Sequence, residues 1–254
     1  MILGFIGTGK ISSSIIYGIY NSKLKVKRIY ISSRNKNIAK KLQRQFRQVK
    51  IIRDNQKIID KSSTVILGLT PSVGNRILPK LNFSKNKKII SLISTINIAK
   101  LKKLTKNRNI VRAIPLPPIE INKGPIILCP PNKNAKNFFK NLGFVIEISN
   151  EKLSYKFWST ASIMASFYEL LNISSGWLTK KGINKKIADN YISELFLSLS
   201  QDAVNKKSQG FKKLVADSQT PKGLNMQVLN ELKRAKFYNK FIKALENINK
   251  RVSN

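Results

Sequence analysis

The chain opens on the feature that most limits what it can fold into: Met1-Ile-Leu-Gly-Phe-Ile-Gly7-Thr-Gly9-Lys10-Ile11-Ser12-Ser-Ser-Ile. A short apolar run has the length of a buried strand, two glycines make a turn, and apolar residues at helical spacing follow at once. Gly7 permits a tight strand-to-helix turn, and Gly9 lets an anion approach the backbone closely. The helix behind them offers unpaired amides and a partial positive charge to that anion. Ser12 stands at the third position of the G-x-G-x-x-G pattern, small enough for close packing but neither glycine nor alanine. A lone G-x-G would carry little weight; between a strand and a helix it reads as a dinucleotide-binding fingerprint. The plainer alternative is a glycine turn in an unrelated α/β protein.

The pattern continues in kind as far as residue 148. Strands are expected at Ile2–Ile6, Arg28–Ser32, Thr64–Leu69, Lys88–Leu92, Asn109–Ile114, Pro125–Leu128 and Phe144–Ile148. Helices are expected between them, near Ile11–Tyr20, Ile38–Phe46, Gln56–Asp60, Gly74–Leu81, Ile98–Leu104 and Ala135–Leu142. Such alternation builds a mostly parallel sheet covered by helices. After Asn150 the period changes to that of helices alone, with one containing Thr160–Ile173, another from about Asn184 to Lys206, and others at Leu224–Leu232 and Phe237–Ile248. In the second of these, Ile187, Tyr191, Leu195 and Leu199 make one apolar stripe, and Ala188, Ile192, Phe196 and Leu199 an adjoining one. A face that broad suits packing among several helices, within one subunit or between two. The expected fold class is α/β: an N-terminal Rossmann-like, mostly parallel sheet (residues 1–150, dinucleotide-binding), then a C-terminal all-helical domain (residues 151–254, for substrate and dimerisation).

Composition removes whole classes of chemistry. The chain has no histidine and one cysteine, Cys129. A Ser-His or Cys-His nucleophile is excluded, a catalytic metal is not expected, and no internal disulfide can form. No apolar run approaches the roughly 20 residues of a membrane span, and the first residues lack the charged region of a signal peptide. These features point to the cytoplasm, with no membrane partner. The formal charge of +36 comes from 48 Lys and Arg against 12 Asp and Glu. The lysines are spread along the whole chain and accompany abundant Asn and Ile, as in a general compositional bias. No nucleic-acid-reading motif accompanies them, so no specific nucleic-acid partner is expected.

The cofactor type is read at the end of the second strand, Ile29-Tyr-Ile-Ser32-Ser33-Arg34. A site selective for NAD(H) places a carboxylate there to accept from the ribose 2′-hydroxyl. Hydroxyls and a guanidinium suit a 2′-phosphate instead, because arginine donates paired charge-assisted hydrogen bonds. NADP(H) is therefore favoured over NAD(H), although Arg34 also reads as a solvated surface residue in so basic a chain. Leu67-Gly-Leu69-Thr70-Pro71 follows another strand and belongs at the carboxyl edge of the sheet, where open α/β sheets bind ligands.

These motifs, in this order, resemble the pyrroline-5-carboxylate reductase family, whose members reduce a cyclic imine to proline with NAD(P)H. The opening GFIGTGKISSSI resembles the family's GFIGxGxMxxAI, VILGLTP its VxLAVKP, the strand from Ile89 to Ser94 its VVSxxAG, and Ile110–Pro115 its VIRxMPN. Asn55, sixteen residues before Pro71, stands where the family contacts the cofactor ribose. The resemblance thus implies cofactor binding by Gly7, Thr8, Gly9, Lys10, Ile11, Ser33, Arg34, Asn55, Leu69, Thr70 and Pro71.

In the helical half, Asp217-Ser-Gln-Thr220-Pro-Lys222-Gly223-Leu224-Asn225 resembles the TSPGGTT loop, which binds the substrate carboxylate through backbone amides and a threonine hydroxyl. Thr220, Gly223 and Asn225 are the implied substrate-site residues, with Asn225 in the place of a threonine. Departures fall mainly here, with Lys222 for Gly and Leu224-Asn225 for Thr-Thr, while in the first half Leu116 stands for the Asn of VIRxMPN. The expected activity is NADP(H)-dependent reduction of the C=N bond of 1-pyrroline-5-carboxylate, a small imino acid, by a homodimer or larger homo-oligomer. The alternatives are a β-hydroxyacid-dehydrogenase-like enzyme, another imine or oxo-acid reductase, or a non-catalytic NADP-binding protein.

Overall fold

The computed structural model describes residues 1–253. The chain divides into two compact units: Met1–Trp158 together with the described residues from Arg251 on, and Ser159–Lys250. The first unit is built on an eight-stranded sheet with strand order β3-β2-β1-β4-β5-β6-β7-β8. Its strands are β1 (Ile2–Ile6), β2 (Arg28–Ser32), β3 (Val49–Ile52), β4 (Thr64–Leu67), β5 (Lys88–Ser91), β6 (Ile110–Ile114), β7 (Pro125–Cys129) and β8 (Phe144–Glu147). Every adjacent pair is parallel except β6 and β7. The architecture is thus α/β with a Rossmann-like, mostly parallel sheet followed by a helical region. The order reverses between β1 and β4, which opens a crevice at their carboxyl ends.

Strand alternation sends side chains to two separate cores. Leu3, Phe5, Ile29, Ile31, Ile66 and Ile90 face one side of the sheet with Ile15, Ile16 and Leu42 from helices α1 (Lys10–Tyr20) and α2 (Lys36–Gln45). Ile6, Val65, Leu67 and Ile89 face the other with Ile58 and Ile59 of α3 (Asn55–Lys61) and Leu101 of α5 (Ile98–Thr105). Both faces of a parallel sheet are covered in this way, so its strands read as continuous apolar runs. Helix α4 (Pro71–Ile77) follows β4 with proline in its first turn and passes into a 3₁₀ turn, Leu78–Lys80. Helix α6 (Lys133–Phe139) joins β7 to β8.

Several local features depart from the sequence-based expectation. The four-residue edge strand β3 is not foreseen, because Lys50 interrupts a run too short to read. The helix expected over Thr160–Ile173 is two helices, α7 (Glu151–Ala161) and α8 (Met164–Lys180). The break carries neither glycine nor proline; the Ser162 hydroxyl donates to the Ser159 carbonyl at 2.6 Å where the helix ends. Beyond α8 lie α9 (Lys185–Asn205), α10 (Phe211–Asp217), α11 (Leu224–Arg234) and α12 (Phe237–Ser253). Of the two stripes on α9, Ala188 and Ile192 are buried within the subunit, whereas Ile187 and Tyr191 are each about 60% exposed. Among the described residues no helix is long and apolar enough to cross a membrane.

Candidate active site

The glycine turn sits at the point where strand order reverses, and its two glycines do different work. Gly7 has φ +98°, a conformation open to glycine and strained for other residues. A methyl group there would overlap the carbonyl oxygen of Gly68, with the carbonyl carbon only 2.6 Å away. Gly68 in turn leaves space for the Ser12 hydroxyl, which donates to the Gly7 carbonyl at 2.7 Å. Serine at the third fingerprint position and glycine at 68 therefore fit each other. Gly9 is different: its φ of −93° suits any residue, and a Cβ there would meet no protein atom within 4 Å. Nothing in the polypeptide requires glycine at that position, so the added methyl would project into open cleft at the head of α1.

Thr8 and Ser32 fasten this loop rather than lining it with free hydroxyls. The Thr8 hydroxyl donates to the Ser32 carbonyl at 2.7 Å, and the Gly7 amide donates to the Ser32 hydroxyl at 3.0 Å. Both side chains are buried, which leaves Ser33 and Arg34 as the polar side chains at the open end of β2.

Two adjoining cavities flank the loop. One of about 520 Å³ is lined by Gly7, Thr8, Gly9, Gly68, Leu69 and Thr70, with Arg34–Asn37 along its side. A smaller one of about 180 Å³ shares Gly7, Arg34 and Leu69 and adds Ser33 and Asn55. Lys10, Ile11 and Pro71 lie in the first turns of α1 and α4 and line neither cavity. Arg53 and Arg76 also line the smaller cavity. The sequence did not single them out, since only the tertiary fold carries the residue after β3 and the last turn of α4 to the end of β2. No carboxylate lines either cavity among the described residues.

These features suit a dinucleotide phosphate. Gly9 leaves room for a pyrophosphate, the amides of α1 face it without a capping side chain, and cations surround the ribose end. Among the described residues no group of side chains is arranged to hold a metal ion. Burial pushes the Cys129 thiol up, and Glu151 adds to the shift against the opposing Arg112, so it is not the activated thiolate a nucleophile needs.

Beside the sheet's carboxyl edge Arg112 is buried and paired with Glu151 at 2.6 Å. Its guanidinium also donates to the Ser94 carbonyl, and Glu151 accepts from the Ile98 amide at 2.9 Å. One ion pair thus ties the loop after β5 to the starts of α5 and α7. The sequence places Arg112 in a recognisable motif, but not the carboxylate that meets it.

In the second unit, Thr220 and Gly223 fall in the turn before α11, and Asn225 is the second residue of that helix. The Gly223 amide donates to the Thr220 carbonyl at 2.8 Å, and Gly223 caps α11 with no side chain satisfying its first amides. Lys222 has φ +60°, which glycine adopts at little cost. The Asn225 amide, expected to be free for a substrate carboxylate, donates to the Ser218 carbonyl at 2.9 Å. It braces the turn and keeps one amide hydrogen for other use.

Two family models match the chain. "NADP oxidoreductase coenzyme F420-dependent" matches residues 2–97, and "Pyrroline-5-carboxylate reductase dimerisation" matches residues 157–254. A pyrroline-5-carboxylate reductase from Synechocystis is 24% identical over 155 residues, which is 58% of this chain and 58% of that protein. Among solved structures, 1-pyrroline-5-carboxylate reductase from Streptococcus pyogenes shares the fold at TM-score 0.86 and 24% identity, covering 100% of this chain and 98% of the other. The Plasmodium falciparum pyrroline carboxylate reductase with NADP bound gives TM-score 0.84 and 19% identity, covering 100% and 97%. One family model matches the cofactor half, the pyrroline-5-carboxylate reductase dimerisation model matches the helical half, and a curated reductase matches besides, so the chain is an oxidoreductase similar to the pyrroline-5-carboxylate reductases in both halves.

Proposed function

We propose that this chain reduces the C=N bond of 1-pyrroline-5-carboxylate to give proline, using NADPH in preference to NADH. The observation that carries the reading is Gly9, a glycine its own backbone does not need, facing an open, cation-rimmed cleft at the head of α1. The bound reduced nicotinamide supplies a hydride. The amides at the start of α1 hold the diphosphate, and Asn55 with Ser33 and Arg34 hold the adenosine ribose and its phosphate. Leu69 and Thr70 form the wall carried by β4.

Residues 1–150 act as the dinucleotide-binding domain and 151–254 as the substrate and dimerisation domain. The open amides of α11 after Gly223 bind the substrate carboxylate, as helix N-termini bind anions. The Thr220 hydroxyl, in the turn before α11, and the second Asn225 amide hydrogen, in the first turn of α11, assist. A protonated imine already accepts hydride, so positioning supplies much of the catalysis and a chain without histidine is sufficient. Exposed Ile187 and Tyr191 on α9, in the segment matched to the dimerisation family, support a homodimer or larger homo-oligomer. The single buried, unpaired cysteine suits the cytoplasm.

The test follows loss of NADPH absorbance on addition of pyrroline-5-carboxylate, with NADH in parallel. Turnover faster with NADPH is the expected result. Binding of NADPH without oxidation would remove the substrate assignment and leave the cofactor assignment standing. The bracing of Asn225 against Ser218 favours one second reading, a reductase of the same design for another cyclic imine or oxo acid.

A further inference from the structure

Three arginines from three different elements converge on the smaller cavity: Arg34 after β2, Arg53 after β3 and Arg76 in α4. Each is exposed, and among the described residues none of the three side chains forms an ion pair or a hydrogen bond. The carboxylate nearest in sequence, Asp54, is engaged as the cap of α3, its Oδ1 accepting from the Gln56 amide at 2.8 Å. Like charges gathered around one cavity repel, and an anion between them relieves that repulsion. The other polar groups in the cavity, Ser33 and Asn55, are the size and type that hydrogen-bond a ribose and its substituents.

We infer that Arg53 and Arg76, together with Arg34, make a three-guanidinium seat for the phosphomonoester on the adenosine ribose, so that selectivity for the phosphorylated cofactor is distributed over β2, β3 and α4. This rests on the cofactor reading proposed above and extends it to residues that no family motif marks. A single arginine after β2 would concentrate selectivity in one side chain. Three share it, so loss of any one weakens the preference and leaves part of it.

The experiment measures binding of 2′,5′-ADP and 5′-AMP to the full-length protein by calorimetry, which needs neither substrate nor turnover. Wild type is compared with Arg34→Met, Arg53→Met, Arg76→Met and the Arg53→Met/Arg76→Met double variant. Lys85→Met removes a cation that lines neither cavity and serves as the control. Far-UV circular dichroism checks that each variant is folded. Wild type should bind 2′,5′-ADP far more tightly than 5′-AMP. Arg53→Met and Arg76→Met should each weaken 2′,5′-ADP about tenfold, as expected for a charge-assisted contact, while 5′-AMP changes by less than about twofold. Lys85→Met should change neither.

If wild type discriminates but Arg53→Met and Arg76→Met bind 2′,5′-ADP as it does, the seat is Arg34 alone and the inference is wrong while the cofactor reading holds. Equal loss of both nucleotides also overturns it, because the arginines would then act on the shared part of the ligand. If wild type binds the two nucleotides equally, the preference for NADPH fails and the inference with it.

Discussion

Replacing Gly9 and Gly7 by alanine, one at a time, separates what the turn needs to fold from what it needs to bind. At Gly9 the new methyl meets no protein atom within 4 Å and φ is −93°, so the folded state gains no clash. Stability should hold or rise by about 0.4–1 kcal/mol, since alanine restricts the unfolded chain. The methyl does occupy the space a diphosphate enters. Overpacking by one carbon costs about 1–3 kcal/mol, or roughly five- to 150-fold in NADPH affinity. At Gly7 the methyl overlaps the Gly68 carbonyl, and alanine must adopt φ +98°. Left-handed strain of about 1–2 kcal/mol and overpacking of about 1–3 kcal/mol together give about 2–5 kcal/mol of lost stability. At about 2–4 °C per kcal/mol for a domain of this size, the melting temperature should fall by about 4–20 °C. Differential scanning fluorimetry reads stability, and NADPH fluorescence titration reads affinity. A Gly9→Ala protein that binds NADPH like wild type, or a Gly7→Ala protein as stable as wild type, would refute the assignment of the two glycines.

Other consequences concern the rest of the molecule. Arg112→Met leaves Glu151 without its buried partner and should cost about 3–5 kcal/mol in urea denaturation, and adding Glu151→Leu should recover part of it. The Lys136 ammonium, 2.7 Å away, holds the Glu147 carboxyl below its usual range. Its contribution is therefore complete above about pH 4.3, the ordinary glutamate value, and is lost as pH falls through the lowered folded-state value. Lys136→Met should flatten that acid limb in urea midpoints taken from pH 3 to 6, with a difference at neutral pH of no more than about 1 kcal/mol. Ile187→Asp/Tyr191→Asp changes two exposed apolar side chains on α9, and multi-angle light scattering should show monomers in place of the wild-type assembly. An unchanged assembly would place the subunit interface elsewhere.

The sheet was legible because burial on two faces writes apolar runs separated by turn residues, as in Ile2–Ile6 and Pro125–Cys129. Val49–Ile52 escaped notice because an edge strand of four residues with a lysine in it leaves no such run. The cofactor loop was legible for a related reason: close approach of a ligand and a left-handed turn both demand glycine, and glycine is visible in a sequence. What hydroxyls and guanidiniums do is not visible in the same way. Thr8 reads as a ligand contact yet donates to Ser32, whereas Arg53 and Arg76 read as ordinary surface cations yet face the cavity. Asn225 shows the same limit in the helical half, where only the fold reveals that its amide reaches back to Ser218. Partners set by tertiary contact, such as Glu151 for Arg112, lie 39 residues apart and follow no local pattern.

The central claim is hydride transfer to a cyclic imine, and isotope tracing tests it most directly. Purified protein is incubated with pyrroline-5-carboxylate and NADPH deuterated at the transferable position of nicotinamide C4, and the product is analysed by mass spectrometry. The account predicts proline heavier by one mass unit, with the deuterium on the ring carbon of the former C=N bond. Unlabelled proline or unreacted substrate, from protein that binds NADPH, would contradict it.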